Sequence, residues 1–189
     1  MDTNDHSEFI PPICRLNTEL LVQIFVCLVE DIPSEHRFTP RFPQPKSTEA
    51  PLILGRVNTL WRHVALWTPR LWENVEILYR EPSKSPPGDI LNRFLSRSGA
   101  RPLSIAVSFD PTSEHFSQTE SLFSEMARVM HRWRRIYLTT HLIPHVHDFI
   151  RLIGATPLLE SVECLLVDII AFRHRRMRSI FPLHLASVF

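Results

Sequence analysis

From Asn74 onward the chain alternates between short strand-like and longer helix-like segments, and the strand centres recur at a nearly constant interval. Ile77, Ile105, Tyr137 and Cys164 mark those centres, at intervals of 28, 32 and 27 residues. Leu103, Ile105, Val107 and Phe109 alternate with Ser104, Ala106 and Ser108, the period of two that marks a half-buried strand. Asn74–Tyr79, 135–139 and 159–167 read as the other strands. Between them, Ile90, Leu91, Phe94 and Leu95 describe a helix over 89–97. Leu122, Phe123, Met126, Val129, Met130 and Trp133 describe one over about 117–133, and a third starts at Pro144 and runs to 153.

That interval is close to the longer leucine-rich repeats, whose units run about 20–29 residues. A short solenoid of strand–helix units is the expected architecture, with a small α/β sheet domain as the alternative. The last segment fits neither. Residues 168–189 carry Arg173, His174, Arg175, Arg176 and Arg178, then an apolar stretch from Ile180 to Phe189. A solenoid ends in a polar cap, so the chain reads as truncated, with an atypical basic and apolar tail.

Residues 1–73 obey different rules. Residues 1–11 read as a loose tail. A dense apolar run extends from Ile13 to Val29, with Asn17 as N-cap and Glu19 in the first turn, where negative charge suits the helix dipole. Glu19, Gln23 and Glu30 form one narrow polar stripe; the apolar arc left over covers roughly 260° of the helix. A helix so apolar needs burial from two sides, by its own chain and by something else. Residues 31–50, with Pro33, Pro40, Pro43 and Pro45, read as an irregular exposed insertion. A second helix is expected after Pro51, with Ile53, Val57, Leu60, Trp61, Val64 and Trp67 on one face and Arg56, Asn58, Arg62 and His63 on the other. Pro69 ends it, and Leu71 and Trp72 come next as anchors. Trp61, Trp67 and Trp72 invite an aromatic ligand cage, but their spacing favours core packing.

Composition removes several function classes. The 189 residues are 44% hydrophobic and carry a formal net charge of +1, which is globular rather than disordered and lacks a basic footprint for nucleic acid. The 4 glycines never lie close together, which excludes P-loop, Rossmann and kinase phosphate cradles. No G-x-S-x-G nucleophile elbow is present. Cys14, Cys27 and Cys164 are odd in number and widely separated, as in a reducing compartment. No secretory h-region or membrane-length apolar run occurs, so an intracellular, cytoplasmic or nuclear location is expected.

Two stretches together resemble the F-box-like family abundant in mushroom-forming fungi. Ile13-Cys-Arg-Leu-Asn-Thr-Glu-Leu-Leu-Val-Gln-Ile-Phe25 is similar to the family's opening pattern of isoleucine, leucine-proline and E-L-L-x-x-I-F. Residues 50–72 are similar to its A-P-L-x-L-x-x-V-C-x-x-W-R-x-I-A-x-x-T-P-x-L-W, with Trp61-Arg62 and Thr68-Pro-Arg-Leu-Trp72 in register. Phe94-Leu-Ser-Arg-Ser-Gly-Ala-Arg-Pro-Leu-Ser-Ile105 is similar to the R-S-G-x-x-P-L segment found next in these proteins. Asn17 stands where the family usually has proline, and Asn58 where it usually has cysteine.

The resemblance implies an α+β organisation: an F-box-like helical domain over 12–73 with the proline-rich insertion at 31–50, then a leucine-rich-repeat-like region over 74–167. It implies a non-catalytic substrate receptor of a Skp–cullin–F-box ubiquitin ligase, which raises the effective concentration of a target near the ubiquitin-loaded enzyme. The first helices would bind a Skp-type adaptor, and through it a cullin; the repeats would hold an unknown target protein. Leu16, Leu20, Leu21, Ile24, Phe25 and Leu28 match the adaptor-facing motif. Neither a cofactor nor a metal is expected, nor a nucleic-acid or membrane partner.

Three rival readings stand beside it. A metal-dependent enzyme would rest on His141, His145, His147 and Asp148, of which His141 and His145 have the four-residue spacing of a helical metal pair, but Pro144 separates them and no H-E-x-x-H is present. Arg173–Arg178 has the composition of a localisation signal, with a solvated charge run as the blander account. An interaction scaffold with no ligase role is the third.

Overall fold

The computed structural model describes residues 12–30, 41–80, 86–110, 119–152, 156–167 and 180–184. Residues 1–11, residues 31–40 of the insertion and Arg173–Arg178 lie outside the described residues.

Four parallel strands form the frame, in the order in which the chain makes them: β1 Asn74–Tyr79, β2 Leu103–Phe109, β3 Trp133–Thr140 and β4 Ser161–Val167. A fifth, β5 Ile180–His184, joins β4 antiparallel at the edge. So part of the expected atypical tail is a strand of the sheet. The crossovers between parallel strands contain α3 Pro87–Arg97, α4 Thr119–Arg128 and α5 Ile143–Leu152. Crossovers of one hand along a sequentially ordered sheet place their helices on one face, and α3 packs on α4 and α4 on α5. Gly88 permits the first approach, since a Cβ there would stand 2.7 Å from Ser121 Oγ. At the other end of α3, Gly99 takes the left-handed φ of +60° that turns the chain back toward β2.

Register explains the core. Val75, Ile105, Ile136 and Val162 face one another in one row, and Ile77, Val107, Leu138 and Cys164 in the next. Both rows belong to the main hydrophobic cluster, together with Leu91 and Phe94 of α3, Leu122 and Met126 of α4, and Phe149 of α5. Trp133 is the first residue of β3, not the last of a helix: α4 ends at Arg128 and a 3-10 turn over Met130–Arg132 reverses the chain. Its indole stacks at 6.2 Å on Phe149.

The opposite face is less open than strand alternation suggests. Ser104 and Ala106 are buried as fully as their apolar neighbours. Phe42 lies over Ala106 and against Tyr137, its ring 5.7 Å from the tyrosine ring. Pro43 beside it is buried too. These residues belong to the insertion expected to be exposed, and 41–45 instead form a strap along the sheet. The Glu76 N–H donates to the Pro43 carbonyl at 3.0 Å, and Gln44 Nε2 donates to Glu76 Oε1 at 2.8 Å.

The helical part is α1 Thr18–Glu30 and α2 Thr59–Leu66, with 3-10 turns at Pro12–Arg15, Leu54–Arg56 and Pro69–Trp72. The single helix expected from Pro51 onward is therefore two pieces. Asn58 separates them: its backbone is extended, and its side-chain oxygen accepts the Trp61 N–H at 2.8 Å, the geometry of an N-cap. Asn17 does the same for α1, accepting the Leu20 N–H at 2.9 Å. Leu21, Phe25, Val26, Val29, Val64, Ala65, Leu71 and Trp72 merge with the sheet residues in one cluster, so the helices and the strand–helix region share a core. Trp72 ties the two together. Its indole N–H donates to the Ala65 carbonyl at 2.8 Å, its ring meets Phe94 edge-on at 5.1 Å, and the Arg97 guanidinium lies 4.4 Å above it.

Candidate docking surface

The roughly 260° apolar arc of α1 divides into two stripes. Leu21, Phe25, Val26 and Val29 point inward, and Leu21 and Phe25 are 0% exposed. Leu20, Ile24 and Leu28, spaced at i, i+4 and i+8 along one line of the helix, point outward at 50%, 39% and 52% exposure. Leu16 is half-buried against the core. The six residues matching the adaptor-facing motif therefore separate. Leu20, Ile24 and Leu28 are available to a partner. Leu21 and Phe25 are not, because their own chain already covers them; Phe25 sits 4.9 Å from the Trp61 ring.

The second helical segment buries only part of its expected apolar face, and its polar residues Arg56, Asn58, Arg62 and His63 are exposed as well. Ile53, Val57, Leu60 and Trp67, four of the six residues expected on its inward face, are exposed, Trp67 at 75%. Val64 does point inward, with Ala65 beside it, and Trp61 is half-buried against the core. Core packing accounts for Trp72 and Trp61, whereas Trp67 stands in solvent with the exposed His63 ring 6.0 Å away. Since α2 packs on α1, their outward sides present apolar side chains from both helices. Singly exposed apolar residues are ordinary on a protein surface, whereas a contiguous row such as Leu20, Ile24 and Leu28 is a candidate interaction surface. At the end of α1 Glu30 is paired with Arg70 at 2.7 Å.

Sequence periodicity missed Ile53, Val57, Leu60 and Trp67 as surface residues. Their helical spacing is present in the sequence, but spacing does not say which way a face points. The signal that could have found Leu60 and Trp67 is Asn58, whose capping preference breaks the helix and restarts it with a new phase; no such signal marks Ile53 and Val57.

The histidine pair does not form a helical metal site. His145 is buried in the first turn of α5, its ring 4.2 Å from that of Phe109, with Nδ1 3.1 Å from Thr140 Oγ1. His141 precedes the helix. Burial lowers both imidazole pKa values; for His145 the neighbouring His141 lowers it further and Asp148 opposes, and for His141 Asp110 opposes. Among the described residues no group of three or more histidine, cysteine, aspartate or glutamate side chains is placed to hold a metal ion. No helix among them is long and apolar enough to cross a membrane.

No family model, curated protein or solved structure matches this chain.

Proposed function

We propose that the protein is a substrate receptor of a Skp–cullin–F-box ubiquitin ligase, docking on a Skp-type adaptor through α1 and α2 and holding a target protein on the strand–helix region. The observation that carries this reading is the exposed stripe Leu20, Ile24 and Leu28, in the same helix that carries the resemblance to the F-box. The contacting set narrows to that stripe, with the exposed Ile53, Val57, Leu60 and Trp67 of the second segment as further candidates. In this reading the sequentially ordered parallel sheet is a short leucine-rich-repeat-like array, and its helix-free face is the target face. The protein contributes no chemistry; it brings a target and the ubiquitin-loaded enzyme together.

The test is co-expression with a Skp-type adaptor and then gel filtration. The native protein co-elutes with the adaptor. Ile24→Asp with Leu28→Asp loses it while the melting temperature stays within a few degrees, because neither side chain belongs to the core. Two anchors worth about 2 kcal/mol each weaken binding by roughly a thousandfold. Undiminished adaptor retention by the folded double variant, or failure of the native protein to bind, overturns the reading.

A further inference from the structure

The helix-free face of the sheet carries a central row, Glu76, Ala106, Tyr137 and Glu163, set by the register of β1 to β4. Phe42 is seated on the middle of that row. Together Phe42, Ala106 and Tyr137 form a small cluster separate from the main core. One of its three members comes from the strap and two from the sheet.

The strap binds in the manner of a peptide ligand. Ser104 N–H donates to the Glu73 carbonyl and Asp110 N–H to the Tyr79 carbonyl, so the odd-numbered positions of β1 serve β2. Glu76 N–H points the other way, to the outer edge of the sheet, and it is there that the Pro43 carbonyl accepts it at 3.0 Å. Strand edges recruit extended segments by this kind of main-chain bond, with pockets for particular side chains supplying selectivity. Here the pocket is the Ala106–Tyr137 shelf and the side chain is an aromatic ring. Gln44 Nε2, at 2.8 Å from Glu76 Oε1, adds a polar contact one residue past the proline. Just past the strap, Glu49 holds its shape, accepting from Gln44 N–H at 3.0 Å and from Arg41 at 3.4 Å.

We infer that the edge of β1 and the Ala106–Tyr137 shelf form a binding site for an extended peptide of the type aromatic–proline–amide, occupied in this chain by Phe42-Pro43-Gln44. The site is filled in cis, and a target segment of the same chemistry enters it by displacing the strap. Its cluster being separate from the main core is what makes that exchange feasible without unfolding the sheet. This rests on the reading of the helix-free face as the target face; it does not require the adaptor.

The probe is a synthetic peptide of the strap itself, Arg-Phe-Pro-Gln-Pro-Lys, corresponding to 41–46. Titrated into Phe42→Ala protein and monitored by amide chemical shifts, it perturbs Glu76, Ala106 and Tyr137 and binds at least ~10-fold more tightly than to the native protein, whose own strap competes. The same peptide with alanine for its phenylalanine does not bind, and Phe42→Ala with Tyr137→Ala loses the site. Equal binding to native and Phe42→Ala protein, or no binding to either, overturns the inference. Should Phe42→Ala fail to fold, hydrogen exchange on the native protein decides: the Glu76 amide exchanges about a hundredfold faster than those of Ile105 and Ile136 if the strap detaches on its own. Equal protection at the three amides refutes a detachable strap. Adaptor co-elution, measured separately, is unaffected by Phe42→Ala, so failure here and failure of the docking reading are distinct results.

Discussion

Phe25 and Ile24 are adjacent on one helix and face opposite ways, which makes them a sharp test of the two-stripe account of α1. Phe25 is 0% exposed and lies 4.9 Å from the ring of Trp61, between the helices and the shared core. Replacing it with alanine removes the transfer free energy of the benzyl group and leaves a cavity that rigid neighbours only partly close. Such changes cost about 3–5 kcal/mol. In a domain of this size 1 kcal/mol moves the melting temperature by roughly 2–4 °C, so a fall of about 6–20 °C is expected. Ile24 is 39% exposed and lies on the other side. Its alanine variant loses a partial contact, partly offset by better helix propensity, and should fall within about 1 kcal/mol of the native protein. Both variants are read by thermal and urea unfolding with circular dichroism. Equal losses for the two substitutions would refute the division of the arc, as would a Phe25→Ala protein as stable as the native one.

Removing the N-cap by Asn58→Ala should cost about 1 kcal/mol in urea unfolding, and Asn58→Ser should restore most of it, because serine also accepts the Trp61 N–H. Burial, then His141, hold the His145 imidazole below its ordinary 6.5. The unfolded chain therefore binds the proton first, and stability present above about pH 6.5 falls as the pH drops toward the folded-state value. A His145→Gln variant should show a flatter stability profile between about pH 7 and 5 in the same unfolding assay, and an unchanged slope would refute the assignment. Burial pushes the Cys164 thiol up to about 11, whereas Cys27 is exposed. In a Cys14→Ser background, maleimide at neutral pH should label Cys27 within minutes and Cys164 only after denaturation.

The strand–helix region is legible in the sequence because its signals are local and repeated. β1 and β2 coincide with the segments read from the sequence, and α3, α5 and β4 differ only at their ends. Alternation in β2 reads as one wet face, yet Ser104 and Ala106 are buried. The cover on that side comes from the strap and from the long Arg134 side chain, whose guanidinium donates to Ser104 Oγ at 3.1 Å. Neither contact has a period. Phe42 is one aromatic among prolines, in a stretch whose composition argues for a loop, and only the pairing of Glu76 with Pro43 reveals its place. The fifth strand is hidden for a similar reason: it contains Pro182, which reads against a strand but is tolerated at a sheet edge.

Direction is the deeper obstacle, and the helices show why. Hydrophobic period locates a stripe relative to the helix axis; it does not say what lies across from it. On α1 the arc is wide enough to contain two stripes, and motif matching joins residues from both. Leu20 and Leu21 are neighbours in the motif, but one step of about 100° separates solvent from core. On the second segment a cap at Asn58 lets Leu60 point out while Val64 and Ala65 point in. An apolar side chain kept outside at several turns of two packed helices carries an unfavourable hydration free energy that folding alone does not relieve. A binding partner would relieve it, which is why the exposed stripe, more than the motif that drew attention to this helix, is the feature a docking experiment should address.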